Sequence, residues 1–132
     1  MNILRTADVM TQRLTDLLKP SGLSPTQYNV LRILRGAAGK GVCCGEIGER
    51  MITRDPDVTR LIDRLEKRNL LTRSRSKEDR RFVSIHLTPE GLELVNQLDE
   101  PLEKWNRKLM QNISSGEMKV LIELLEQLRE GM

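Results

Sequence analysis

The sequence predicts a mainly α-helical fold that carries one small two-stranded β element. Apolar side chains recur at steps of three and four over most of the 132 residues, which is the periodicity of amphipathic helices. The clearest alternation, Val83, Ile85 and Leu87, follows directly on a stretch too charged to be buried, as in a short strand behind a solvent-facing tip. Only three residues are aromatic (Tyr28, Phe82 and Trp105) and 31% are charged, so the core must be aliphatic. The length suits one domain rather than two independent ones.

Taken in order, Ile3, Ala7, Met10, Leu14 and Leu17 form one helical stripe, and Lys19-Pro20-Ser21-Gly22 stops it. Ser24-Pro25-Thr26-Gln27 reads as a capping box with proline at the first helical position; Tyr28, Val30, Leu31, Ile33 and Leu34 follow, and the helix ends at Gly36. After the connection from Gly36 to Gly41, the segment from Cys44 to Met51 has Ile47 and Met51 four residues apart. It is long enough for about two turns. Asp55-Pro56-Asp57 then offers an N-cap, a helical proline and a first-turn acid, and Val58, Leu61, Ile62 and Leu65 stand at i, i+3, i+4 and i+7 of a helix ending near Asn69. The other face of that helix carries Asp57, Arg60 and Arg64, with Thr59, Asp63 and Lys67 to one side.

Leu70 to Ser74 and Phe82 to Leu87 are two extended runs, joined by the polar tip Arg75-Ser76-Lys77-Glu78-Asp79-Arg80-Arg81. Val83, Ile85 and Leu87 should face the core, with Phe82, Ser84 and His86 on the other side. Thr88-Pro89-Glu90 caps a further helix whose stripe, Leu92, Val95, Leu98, Leu102, Trp105 and Leu109, runs past Pro101, a candidate kink. Ser114-Ser115-Gly116-Glu117 is a second capping box, opening a helix with Met118, Leu121, Leu125 and Leu128, flanked by Ile122 and Leu124. Trp105, Met10, Met51 and Met118 fall on these stripes and read as core or interface, with a ligand pocket near them as the alternative. Terminal helices this broadly apolar exceed one small core and are expected to meet a second copy of the chain through Ile3, Met10, Leu14, Trp105, Leu109, Leu121, Leu125 and Leu128.

Residues 53–81 hold ten Lys/Arg against six Asp/Glu, while the whole chain has a net charge of +3. A basic middle between neutral or acidic flanks suits a polyanion binder, and a solvated, salt-bridged face would look similar. No run approaches the ~18 consecutive apolar residues of a membrane span, and the N-terminus lacks a secretion signal, so a cytoplasmic protein is expected. The adjacent Cys43 and Cys44 cannot form a disulfide framework and lack zinc-ligand spacing; they read as two small semi-buried residues at a helix start, with a redox role as the alternative. The single histidine, His86, has no arrangement of nucleophile or carboxylate tied to it. Neither enzyme activity nor a cofactor or metal is expected.

A short helix, a tight turn and a second helix with a basic face make a helix-turn-helix, which presents its second helix to the major groove. A basic hairpin just after it is a wing, whose arginines can follow the backbone or enter the minor groove. The residues Asp79-Arg80-Arg81-Phe82-Val83-Ser84-Ile85-His86-Leu87-Thr88 fit D-x-R-x-x-x-[IV]-x-L-T. Together with Val58-Thr59-Arg60-Leu61-Ile62-Asp63-Arg64-Leu65-Glu66-Lys67-Arg68-Asn69-Leu70, this motif resembles the MarR family of multiple antibiotic resistance regulators.

That resemblance implies one domain over residues 1–132, with a winged helix-turn-helix DNA-binding lobe at 23–88 and a helical dimerisation lobe from 1–22 and 89–132. It implies a homodimeric transcriptional regulator, usually a repressor, on a pseudo-palindromic double-stranded DNA operator, with a small-molecule effector as a further expectation. By the same resemblance Asp79 holds the wing through an ion pair with a neighbouring arginine, Arg81 enters the minor groove and Arg80 contacts phosphate. Thr53, Arg54, Asp57, Thr59, Arg60 and Arg64 become base-edge and phosphate candidates, and Arg75 and Lys77 add to the basic wing. Asn69 stands where the family usually has glycine, and it too accepts a left-handed backbone. The first helix lacks the cysteine of the family's peroxide-sensing branch, so oxidant sensing by that route is not expected. The alternative is a winged-helix module whose basic face meets an acidic protein.

Overall fold

The computed structural model describes residues 1–75, 79 and 81–132. Helix α1 (Asn2–Leu18) runs into a single 3-10 turn, Lys19–Ser21, and Gly22 then reverses the chain with φ of 71°. Helix α2 (Pro25–Gly36) begins at the capping box read from the sequence: the Gln27 N–H donates to Ser24 Oγ at 3.2 Å and the Ser24 N–H donates to Gln27 Oε1 at 3.0 Å. Ser24→Ala is expected to cost about 1 kcal/mol of stability, read as a lower urea midpoint with an unchanged slope.

Helix α3 (Cys44–Arg50) buries Ile47 completely, and α4 (Val58–Lys67) buries Leu61, Ile62 and Leu65 against it and α2. The start of α4 differs from the sequence expectation. Asp57 rather than Asp55 is the N-cap, its side chain accepting the Arg60 N–H at 3.1 Å. Asp55 instead accepts the Asp57 N–H at 2.8 Å, a local turn that holds Pro56 outside the helix. At the far end Asn69 adopts φ of 60°. The Arg68 guanidinium reaches back to the α1–α2 junction, donating to Ser21 O at 2.9 Å and Gly22 O at 3.0 Å.

Strands β1 (Leu71–Arg75) and β2 (Val83–Leu87) pair antiparallel, Leu71 opposite Leu87 and Arg75 opposite Val83. Both begin one residue later than the sequence suggests. The alternation along β2 is also less clean than expected, because Ser84 and His86 are half-buried alongside Val83 and Leu87. The cause lies in the loop before α3. Val42 forms a one-residue bridge with Ile85, Val42 N–H to Ile85 O at 3.1 Å and Ile85 N–H to Val42 O at 2.9 Å. Gly41 then lies so close that an added Cβ would fall 2.5 Å from Ser84 Cβ.

Thr88 closes the hairpin onto the next helix. Its buried hydroxyl donates to Asn69 O at 2.7 Å and accepts the Gly91 N–H at 3.0 Å, so it is fully satisfied. Helix α5 (Pro89–Met110) stays helical through Pro101. The chain gathers into two compact units, residues 1–98 and 99–132. The first takes in residues 1–22 and 89–98 together with the winged helix. The second holds the rest of α5 and helix α6 (Ser115–Glu130), which opens on the second capping box, with both reciprocal bonds at 3.1 Å.

Large apolar side chains remain exposed on the protomer. On α1 these are Ile3, Leu4, Val9 and Met10; on α6 they are Val120, Leu121, Ile122, Leu124 and Leu128. Of α1 only Leu18 is buried, and none of the described residues 99–132 is. Leu14, Trp105, Leu109 and Leu125 are half-buried, and Met51 alone of the four stripe residues Trp105, Met10, Met51 and Met118 reaches the core.

Candidate nucleic-acid interface

The turn between α3 and α4 is fixed from below. Met51 is buried as the residue closing α3, and the Ile52 N–H donates to Asn29 Oδ1 at 2.8 Å. Thr53 and Arg54 leave that turn exposed, as do Thr59, Arg60 and Arg64 on α4. Asp57 has its carboxylate committed to the cap, where it also offsets the positive helix end.

These candidates do not share one front. Thr59 lines a cleft between α3, α4 and the hairpin together with Cys44, Arg73, Ser74 and Arg75, its Oγ1 lying 3.8 Å from Cys44 Sγ. Arg64 borders a second cleft, with Asp55 and residues of α1 and α2 such as Gln12 and Gln27. At about 100° per residue, Arg60 projects between those two directions, so α4 presents a ridge with a cleft on either side.

The sequence reading missed Arg73. From β1 it pairs with Asp63 on α4 through its Nη2, and that bond raises the guanidinium pKa above its ordinary value. The pair fastens the hairpin to the helix and neutralises an acid on the flank of the basic face. An ion pair between residues ten apart on a helix and a strand leaves no sequence signature. The hairpin end is tied more locally: Asp79 Oδ1 accepts the Arg81 backbone N–H at 3.0 Å and Nε–H at 3.1 Å, while Oδ2 accepts Nη2–H at 3.0 Å. The arginine held by Asp79 is therefore Arg81, the same residue that the resemblance sends into the minor groove. Lys77 and Arg80 lie outside the described residues.

The Arg81 side chain holds the Asp79 carboxyl below its ordinary 3.8, with help from the Arg81 backbone N–H. A depressed carboxylate contributes above its unfolded value and stops contributing as pH falls through the lower folded one. Acidification should release the amide signals of Arg81 and Phe82 in an NMR titration, with a midpoint below 3.8. A midpoint at or above that value would show the pair is not formed in solution. Among the described residues no group of histidine, cysteine and carboxylate side chains could hold a metal, and no helix is long and apolar enough to cross a membrane.

A helix-turn-helix followed by an antiparallel wing, with arginines exposed on both, defines a winged-helix DNA-binding protein. The comparisons narrow the class. The MarR family model matches residues 23–83. The chain is 31% identical over 106 residues to YpoP, an uncharacterised HTH-type transcriptional regulator of Bacillus subtilis, covering 80% of this chain and 74% of that one. It is 37% identical to a MarR transcription factor from Planctomyces limnophilus, whose crystal structure superposes with a TM-score of 0.73 over 95% of this chain and 90% of the other. The organohalide-sensing regulator RdhR, in its 2,4-dichlorophenol bound form, shares the fold, with a TM-score of 0.88 at 21% identity over 99% of this chain and 77% of that one. The chain belongs to the MarR family of DNA-binding transcriptional regulators, which are not enzymes.

Proposed function

We propose that this regulator binds a pseudo-palindromic DNA operator as a homodimer and represses by occupying it. The observation that carries the reading is the exposed ridge of α4, with Arg60 between Thr59 and Arg64 on its two sides, next in the chain to a wing bearing Arg75 and Arg81. In this arrangement α4 enters the major groove, with Thr53, Arg54, Thr59, Arg60 and Arg64 at base edges and phosphates. Asp57 acts through the helix cap, and the wing arginines follow the adjacent backbone and minor groove. Dimerisation is supported by the exposed aliphatic faces of α1 and α6, each larger than scattered surface residues require. Two copies would set their α4 helices about 34 Å apart on successive grooves of one DNA face.

Small-molecule control is supported by the cleft beside Thr59. It has a volume of about 310 Å³, an apolar floor of Ile62, Val83 and Ile85, and Arg73 and Arg75 at its rim. A small aromatic anion seated there would press between α4 and the wing. RdhR, an organohalide-sensing regulator, holds 2,4-dichlorophenol in its bound form, so the fold accommodates such ligands.

The test is a fluorescence-anisotropy titration of the protein against its own upstream intergenic duplex and a scrambled duplex at several salt concentrations. Selective binding is expected, with log affinity falling against log salt by about 0.9 per phosphate neutralised. Equal, weak binding to both duplexes would overturn the reading.

A further inference from the structure

Apart from the two terminal methionines, the most exposed large apolar side chain among the described residues is Ile52, at 85%. Its exposure is built in. The residue before it, Met51, is 7% exposed and donates its N–H to Ile47 O at 3.1 Å. The Ile52 N–H is taken by Asn29 Oδ1 at 2.8 Å, and three residues on, Asp55 locks the approach to α4. A β-branched side chain on so constrained a backbone has little rotamer freedom left to lose on binding.

Its surroundings exclude the usual partner of an exposed aliphatic. Apolar protein interfaces are contiguous patches, as on α1 and α6. Ile52 instead stands beside the exposed Thr53 and Arg54 and two residues after Arg50, whose guanidinium pairs with Glu46 at 2.7 Å. A lone aliphatic beside the exposed Thr53 and Arg54, just ahead of the helix end that reads base edges in the operator-binding reading, matches a polyanion carrying isolated methyl groups. The major groove offers one such group, the C5-methyl of thymine.

We propose that Ile52 is a specificity-determining residue that reads a thymine methyl in the major groove, an inference that rests on the operator-binding reading above. Arg54 beside it carries charge that serves any sequence, while Ile52 adds a preference that charge cannot.

The test begins with duplexes selected by the full chain from a random pool. Each thymine of the selected site is then replaced by deoxyuridine, which removes the methyl and leaves the hydrogen-bonding edges intact. Wild-type protein should lose affinity about fourfold for one thymine per half-site, the worth of a buried methyl. Ile52→Ala, which removes the contact from both protomers, should bind the unmodified site about 15-fold more weakly and be indifferent to that same replacement. Wild-type affinity in Ile52→Ala, or undiminished sensitivity to every deoxyuridine, would overturn the assignment while leaving operator binding standing. A pool that yields no preferred sequence would overturn both together. The substituted side chain is solvent-exposed, so an unaltered melting temperature is expected and separates a lost contact from a lost fold.

Discussion

Gly91→Ala is expected to destabilise the protein by about 3 kcal/mol, the upper end for one methyl forced into a packed core. A Cβ at this position would lie 2.1 Å from Leu70 O, 3.1 Å from Leu70 C and 2.8 Å from Leu87 Cδ1. Leu70 O cannot move aside cheaply, because it accepts the Thr88 N–H at 3.2 Å. The sign of the effect is informative. In an unobstructed helix alanine is better than glycine by roughly 1 kcal/mol, so the same substitution would stabilise α5 if its first turn did not press on the strand entrance. Urea unfolding followed by circular dichroism distinguishes the two, and a raised midpoint would mean that α5 and Leu70 are not in contact.

Arg81→Ala should weaken operator binding by on the order of 10- to 100-fold while the dimer and the melting temperature stay as they are. The loss exceeds that of an ordinary phosphate contact because Arg81 is half of a pair: its removal takes away a cation together with the two side-chain hydrogen bonds that Asp79 accepts from it at the wing. The double substitution Asp79→Asn with Arg81→Ala should recover part of the affinity, since it also removes a negative charge from the wing. The salt slope should fall in both variants. Loss of the dimer on analytical ultracentrifugation would make Arg81 structural, and full affinity in the single variant would take the wing out of the interface.

The parts of this molecule that could be read from the sequence are those set by neighbours in the chain. Both capping boxes involve residues three apart, and both form as read. The Thr88 cap forms too, and Asn69 takes the left-handed turn that a glycine would otherwise serve. Helix α4 slipped by two residues because Asp55 and Asp57 are both good caps, and only the local turn at Asp55 decides between them. The Val42–Ile85 bridge could not be anticipated, since one paired residue has no period, and with it went the burial of Ser84 and His86. Within the site, the exposure of Thr59, Arg60 and Arg64 follows from helical spacing. The division of those residues between two clefts depends on what packs beside α4, as does the tether from Arg73 to Asp63. The breadth of the apolar stripes on α1 and α6 was plain, yet only the packed protomer shows how much of them stays uncovered.

The guanidinium of Arg68 spans 46 residues of sequence to grip two successive carbonyls at the α1–α2 junction. Two bonds from one planar group resist twisting as well as stretching, so the trailing end of α4 and the foot of α1 turn as a single joint. In the proposed dimer α1 is the arm held by the second copy, and any change in its tilt becomes torque on the helix in the groove. On that reading the side chain of Arg68 would pass the partner's hold on α1 to the angle at which each protomer meets its half-site.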